Sequence, residues 1–230
     1  MKSHEWEMIY FVNLTSCDEL GNRNYLIVGM QKLMKDTIYL QRILHLGGFD
    51  CGEVDGIRGR KTDKAVEKWL LEADLYKREY GSLDSRSESN LETLLPICQK
   101  LIRRWFLERV KGWAEMHDVV VKIICGTRTW AEQNDLYAQG RTKSGNKVTN
   151  AKAGYSFHNF GVAFDIGIFD AKGKYLTSDT LYDKLFKDCG SPDCFDWGGN
   201  FKSLHDAPHY QYNEFGDTSS KIRKRFLAKG

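Results

Sequence analysis

A chain of 230 residues, 41% hydrophobic and 28% charged, has enough apolar material to bury a core without crosslinks. Three prolines and no low-complexity run argue against long disorder, and no stretch of about 20 apolar residues is present to cross a membrane. Lys and Arg exceed Asp and Glu by 34 to 31, a net charge of +3 that is too small to point to nucleic acid and is compatible with an anionic surface.

The first residues, Met1-Lys2-Ser3-His4-Glu5-Trp6-Glu7, carry acids early and lack an apolar run before a small-residue cleavage site, so no secretory signal is expected. Residues 1–36 have no clear pattern beyond a short strand expected over 8–12. The six cysteines (Cys17, Cys51, Cys98, Cys125, Cys189 and Cys194) form no CxxC pair, which removes support for a structural zinc knuckle. Cys125 lies in an apolar run and reads as a buried small hydrophobe. Cys189 and Cys194 bracket a turn and form either a local disulfide or free thiols, the latter favoured in the cytoplasm.

From 37 to 95 the pattern predicts a small three-helix module. A first helix over 39–44 stops at Gly47-Gly48, and a turn-rich segment follows over 50–59. Thr62 is the expected N-cap of a second helix, whose buried face carries Ala65, Val66, Trp69 and Leu70. Ser85 and Glu88 read as a capping box opening a third helix through Leu91 and Leu94. Leu40-Gln41, Leu44, Gly48-Phe49, Gly52, Asp55-Gly56, Gly59, Thr62, Ala65-Val66 and Trp69 resemble the peptidoglycan-binding repeat found beside many wall hydrolases.

Pro96 opens a long amphipathic helix marked by Ile97, Leu101, Trp105, Val110 and Trp113, ending near His117-Asp118. The β-branched run Val119–Cys125 is expected to be a central strand. A loop, Gly126-Thr127-Arg128-Thr129, leads to a helix over 131–139. Further strands are expected over 161–169 and 209–212. The basic stretch 221–226 reads as a solvated helix end.

Two clusters carry candidate chemistry. In Ser156-Phe157-His158-Asn159-Phe160-Gly161-Val162-Ala163-Phe164-Asp165, the period of two puts Asp165 on one face with Ala163 and Gly167. The bulky Phe164, Ile166 and Ile168 fall on the other. A carboxylate placed there needs a cation, and His158 supplies a second donor. In His205-Asp206-Ala207-Pro208-His209, the proline argues for an extended segment. His158, Asp165 and His209 give the three protein ligands of a catalytic zinc, leaving Asp206 free as general base. His205 competes with His209 for the third place. On residue types alone, a metal site and a merely hydrogen-bonded set are equally supported.

Together these residues resemble the zinc peptidoglycan peptidases of the VanY-type D-Ala-D-Ala carboxypeptidase family, and within it the endolysins and autolysins that cut L-alanyl-D-glutamate bonds. Ser156, His158, Gly161, Ala163 and Asp165 match one family pattern, and Asp206 and His209 a second. The stretches from Gly126 to Thr142 and Trp197-Gly198-Gly199 also fit. The likeness covers roughly 96–215. It implies His158, Asp165 and His209 as ligands of Zn2+ and Asp206 as the catalytic acid/base. It also implies that Arg128 stabilises the oxyanion of the intermediate or holds the substrate carbonyl, that Ser156 orients His158 or touches substrate, and that Gln133 supports the substrate site from behind. Asp206, where the carboxypeptidase branch has Glu, favours the endopeptidase. The expected fold is α+β, a small mainly antiparallel sheet with helices around a zinc cleft (96–230), preceded by the all-α module (37–95). The expected partner is bacterial peptidoglycan, met by a monomer that is made in the cytoplasm and released through a membrane pore. A D-Ala-D-Ala carboxypeptidase and a non-catalytic wall-binding protein are the alternatives.

Overall fold

The structure is a computed structural model describing residues 30–202, 205–213 and 216–228. The strand expected over 8–12 lies outside the described residues. After a helical turn over 30–34, α1 (Thr37–Leu46) is capped by Asp36, whose carboxylate accepts from the Tyr39 N–H. Helix α2 (Arg60–Tyr80) starts from Gly59 rather than Thr62. Thr62 lies inside the helix, buried, and its hydroxyl donates to the Cys51 carbonyl at 3.4 Å. Helix α3 (Ser85–Leu91) is capped one residue earlier than expected, by Asp84, because that carboxylate accepts from both Arg86 and Ser87 N–H. Glu88 instead accepts from Leu83 N–H at 2.5 Å.

Pro96 occupies the first turn of α4 (Pro96–Trp105), which runs through a π-helical turn (Phe106–Val110) into α5 (Lys111–Met116). The remaining elements are β1 (Val119–Cys125), α6 (Trp130–Ala138), a 3-10 turn (Phe157–Phe160), β2 (Ala163–Asp170), β3 (Tyr175–Leu176), α7 (Asp179–Cys189), β4 (Phe195–Trp197), β5 (His209–Tyr212) and α8 (Ser219–Leu227).

The strands form one antiparallel sheet in the order β1-β2-β5-β4, with β3 also on β2. Among the described residues strand β1 is therefore at an edge, not central as its composition suggested. Its apolar character follows from helical cover on that edge. Ser87 Oγ of α3 accepts from the Ile123 N–H at 2.9 Å, and Asn90 Nδ2 donates to the Ile123 carbonyl at 3.0 Å. Phe164, Ile166 and Ile168 of β2 are fully buried, and Phe164 stacks on Tyr210 and meets Trp105 edge-on. This core is continuous with that of the helices, through Leu40, Trp69 and Leu91.

The basic C-terminal stretch is a helix, but an anchored one: Ile222 and Phe226 are buried, and Phe226 packs against Tyr39, Trp130 and Phe160. Helix α7 went unread in the sequence, although Tyr182, Leu185, Phe186 and Cys189 recur at helical spacing. Cys189 is buried and Cys194 exposed; both are free thiols, so the local disulfide does not form.

Candidate metal centre

Strand register brings two of the three donors together. On β2, Asp165 lies opposite His209 of β5 on one side and Cys125 of β1 on the other. The second pairing depends on a register shift between Ile123 and Cys125, a bulge that re-aims the end of β1 toward the site. His158 arrives from the 3-10 turn, which ends at Gly161 in the left-handed region at φ +69°. Glycine takes that conformation without strain, allowing an immediate entry into β2.

The three donor atoms converge. His158 Nε2 is 3.1 Å from Asp165 Oδ1 and 3.1 Å from His209 Nδ1, and His209 Nδ1 is 3.0 Å from Asp165 Oδ1. The outer ring nitrogens fix which nitrogen is bare. His158 Nδ1 donates to the Gly126 carbonyl at 2.8 Å, and His209 Nε2 donates to Gln211 Oε1 at 3.2 Å. Each inner nitrogen then presents a lone pair to a carboxylate oxygen in a buried site. Such a set repels itself unless a positive charge sits among its members. Tetrahedral coordination at bonds of about 2.0–2.1 Å separates ligand atoms by roughly 3.3 Å, close to what is seen here. The residues fit a divalent metal.

The electrostatics agree. Burial works to raise the Asp165 carboxyl, but the two histidines outweigh it and hold it well below the ordinary carboxylate range. Burial lowers His158 and would lower His209, but hydrogen bonding to Asp165 and its charge raise His209 instead. The field that draws a proton to His209 draws a cation equally.

Cys125 also comes within 4.8 Å of donor atoms on His158 and Asp165. It fits a metal less well than His209 does. Its 3.8 Å approach is to His158 Nδ1, already committed to Gly126, and burial pushes its thiol up to about 11, which keeps it protonated. It is not the core hydrophobe expected from its neighbours but a half-buried residue on the site face of β1.

Arg128 lies beside this cluster. Its Nη2 reaches Asp165 Oδ2 at 3.4 Å and its Nη1 donates to Gln133 Oε1 at 3.1 Å. Gln133 is fully buried, and its Nε2 donates to the Ala151 carbonyl at 2.8 Å. Both ends of its amide are occupied within the protein, so what Gln133 does here is hold Arg128, not present a free polar end to the cleft. Ser156 is half-buried, immediately before the 3-10 turn. Asp206 is half-buried on the turn before β5, with its backbone N–H on the Gly198 carbonyl at 3.1 Å and its carbonyl accepting from His209 N–H at 3.1 Å. Burial, then the charge of Asp165, raises its carboxyl above the ordinary value. Gly198 is required there, since a Cβ would lie 2.4 Å from the Asp206 carbonyl oxygen. His205 is outside the cluster: it is exposed, and its Nδ1 donates to the Gly199 carbonyl at 2.9 Å.

Some residues were missed from the sequence. Gln211 sets the His209 tautomer, and alternation along β5 could have revealed it. Asn159 accepts from Gly154 N–H with Oδ1 at 3.0 Å and donates from Nδ2 to the Arg128 carbonyl at 2.8 Å. Thr93 Oγ1 accepts from Thr127 N–H at 2.8 Å, and Thr127 Oγ1 donates back to the Thr93 carbonyl. That last pair joins residues 34 positions apart, and no local pattern announces it.

The family described as VanY, D-alanyl-D-alanine carboxypeptidase, matches residues 104–191. The peptidoglycan L-alanyl-D-glutamate endopeptidase CwlK of Bacillus subtilis (strain 168) is 35% identical over 117 residues, covering 45% of this chain and 67% of that protein. The crystal structure of the Serratia marcescens L-Ala D-Glu endopeptidase ChiX aligns over 60% of this chain and 95% of that one at 25% identity. Its TM-score of 0.39 gives the likeness no structural weight. The match at 35% identity across two thirds of a curated relative places this chain in the VanY-type family of peptidases.

Proposed function

We propose that this chain is a zinc-dependent endopeptidase that hydrolyses the L-alanyl-D-glutamate bond of peptidoglycan stem peptides. The observation that carries the reading is the convergence of His158 Nε2, Asp165 Oδ1 and His209 Nδ1, with both outer ring nitrogens committed elsewhere. The relative's activity supplies the bond. Imidazole and carboxylate donors suit zinc, which when bound acts as a Lewis acid toward water and the scissile carbonyl. His158, Asp165 and His209 would hold it. Asp206, with its raised pKa, takes the proton of the attacking water and returns it to the leaving amine. Arg128, fixed by Gln133, stands where negative charge develops on the carbonyl oxygen. The helical segment 37–95 supports the catalytic loops and serves as a wall-binding element.

Mass analysis of a defined soluble stem peptide after digestion tests this. A new amino group on D-glutamate is expected. Release of terminal D-alanine would instead assign the carboxypeptidase activity named for the family, and no product at all would leave a non-catalytic wall-binding protein. Asp206→Ala should lower kcat by roughly 10²–10⁴-fold with metal content unchanged; near-normal turnover would remove Asp206 from the role.

Gly126 sets the loop that carries Arg128. A Cβ there would lie 2.2 Å from the Asn90 carbonyl oxygen, so the loop must shift in Gly126→Ala. Displacement of this kind should reduce kcat by roughly 100-fold. Steady-state kinetics on the same peptide checks this, and wild-type turnover would show that the loop tolerates the shift.

A further inference from the structure

A cleft of about 400 Å³ lies away from the metal centre, where α1 meets the start of α6 and the end of α8. Its walls carry three cations, Lys32, Lys35 and Arg42, and two acids, Asp36 and Glu132. Both acids are engaged. Asp36 caps α1 through the Tyr39 N–H at 3.0 Å. Glu132 accepts from Thr129 N–H at 2.8 Å and pairs with Lys32 at 2.9 Å. Arg42 is different. It is half-buried, its Nε is shut off from solvent without an acceptor, and no carboxylate reaches it among the described residues. Other arginines with an unmatched Nε have compensation elsewhere: Arg103 on Glu88, Arg128 on Asp165 and Gln133, Arg223 over Tyr155. Trp130, on the same wall, also has a buried N–H without an acceptor among the described residues.

A half-buried guanidinium with no counter-charge among the described residues, beside the exposed Lys35 and an indole N–H, is matched by a carboxylate, which accepts from the planar fork of an arginine. The floor is apolar, formed by Tyr39 and Phe226, and suits small alkyl groups. Stem peptides combine carboxylates with alanine methyls. The cleft also abuts the loops of the metal centre. Thr129 follows Arg128, and Tyr39 Oη donates to the carbonyl of Asn159, next to His158, at 2.8 Å.

We propose that this cleft binds a carboxylate of a peptidoglycan stem peptide, giving the protein a second hold on the wall besides the metal centre. This rests on the reading of the wall as substrate.

The test is sedimentation of the full chain on ice with sacculi freed of phosphate polymers, and with the same sacculi after chemical amidation of their carboxylates. Arg42→Gln should weaken binding to native sacculi by about tenfold. Arg42→Lys should recover part of it, and Lys35→Gln should weaken binding less than Arg42→Gln. Wild type should bind amidated sacculi as weakly as Arg42→Gln binds native ones. Melting curves and metal content report that the variants fold. Binding by Arg42→Gln and Lys35→Gln equal to wild type, or undiminished wild-type binding after amidation, overturns the proposal. Digestion of the soluble stem peptide by wild type is read separately, so loss of the peptidase reading is told apart from loss of the cleft.

Discussion

His158→Ala is expected to purify without its metal and to lose hydrolysis by at least about 10³-fold, the scale of several kcal/mol of Lewis-acid stabilisation. His158 is fully buried between Asp165 and the Gly126 carbonyl, and the neighbouring donor that could replace it is the Cys125 thiol, which burial keeps protonated. Elemental analysis of wild type and variant in parallel gives the answer. Metal retained in the variant would show that Cys125 or another donor completes the site. A graded companion is Gln211→Ala, which leaves all three donors but frees the His209 ring to take the other tautomer. Loss of such an outer partner should weaken metal affinity by roughly 10–100-fold, measured by chelator competition.

The second large effect is on stability. Arg103 and Glu88 form a bidentate pair at 2.6 and 2.9 Å with both side chains buried, and Arg103 also donates to the Gly81 carbonyl at 2.8 Å. Lys77 adds a contact to Glu88 at 3.7 Å. This network ties α2, α3 and α4 together. Arg103→Met removes the bidentate partner and leaves the buried Glu88 carboxylate with the Leu83 N–H and Lys77 at 3.7 Å alone, so unfolding free energy should fall by about 3 kcal/mol in urea titration. Replacing Glu88 by leucine in the same chain should return a large part of it. A single variant as stable as wild type would show that the pair contributes little. The pair also sets an acid limit. Burial raises the Glu88 carboxyl, but Arg103 outweighs it and the net shift is downward. A carboxyl lowered on folding stabilises fully above its ordinary value of 4.5, and that contribution is lost as the pH falls through the lowered folded value. Melting temperature should therefore drop below pH 4.5 in wild type, and less steeply in the Glu88→Leu/Arg103→Met chain.

Local chemistry made much of this legible. The alternation around Asp165 placed bulk and carboxylate on opposite faces of β2, as observed, and Pro208 correctly announced the extended segment at His209. Capping was read one to three residues late at Thr62 and Ser85, because several oxygen-bearing or small residues stood near each helix start; at Thr62 a tertiary bond to the Cys51 carbonyl takes the hydroxyl, and before Ser85 the Asp84 carboxylate captures the first N–H groups. The position of β1 was misread for a different reason. An apolar β-branched run records burial, not the number of strand neighbours, and α3 buries the edge as effectively as a strand would. The links that hold the Arg128 loop are long-range hydrogen bonds from Thr93 and Asn159. Such links depend on the fold being known first.

That cover on β1 has a consequence for how the molecule behaves among its own copies. An uncovered sheet edge is a template on which another chain can pair strand to strand. Ser87 and Asn90 occupy the outward N–H and carbonyl of Ile123 with side chains, so the middle of the edge is blocked without adding a strand. A chain shortened to begin at Pro96 would expose that edge together with the apolar face that Leu91 and Leu94 now cover. Self-association through β1, rather than a free-standing catalytic core, is the state such a fragment would reach.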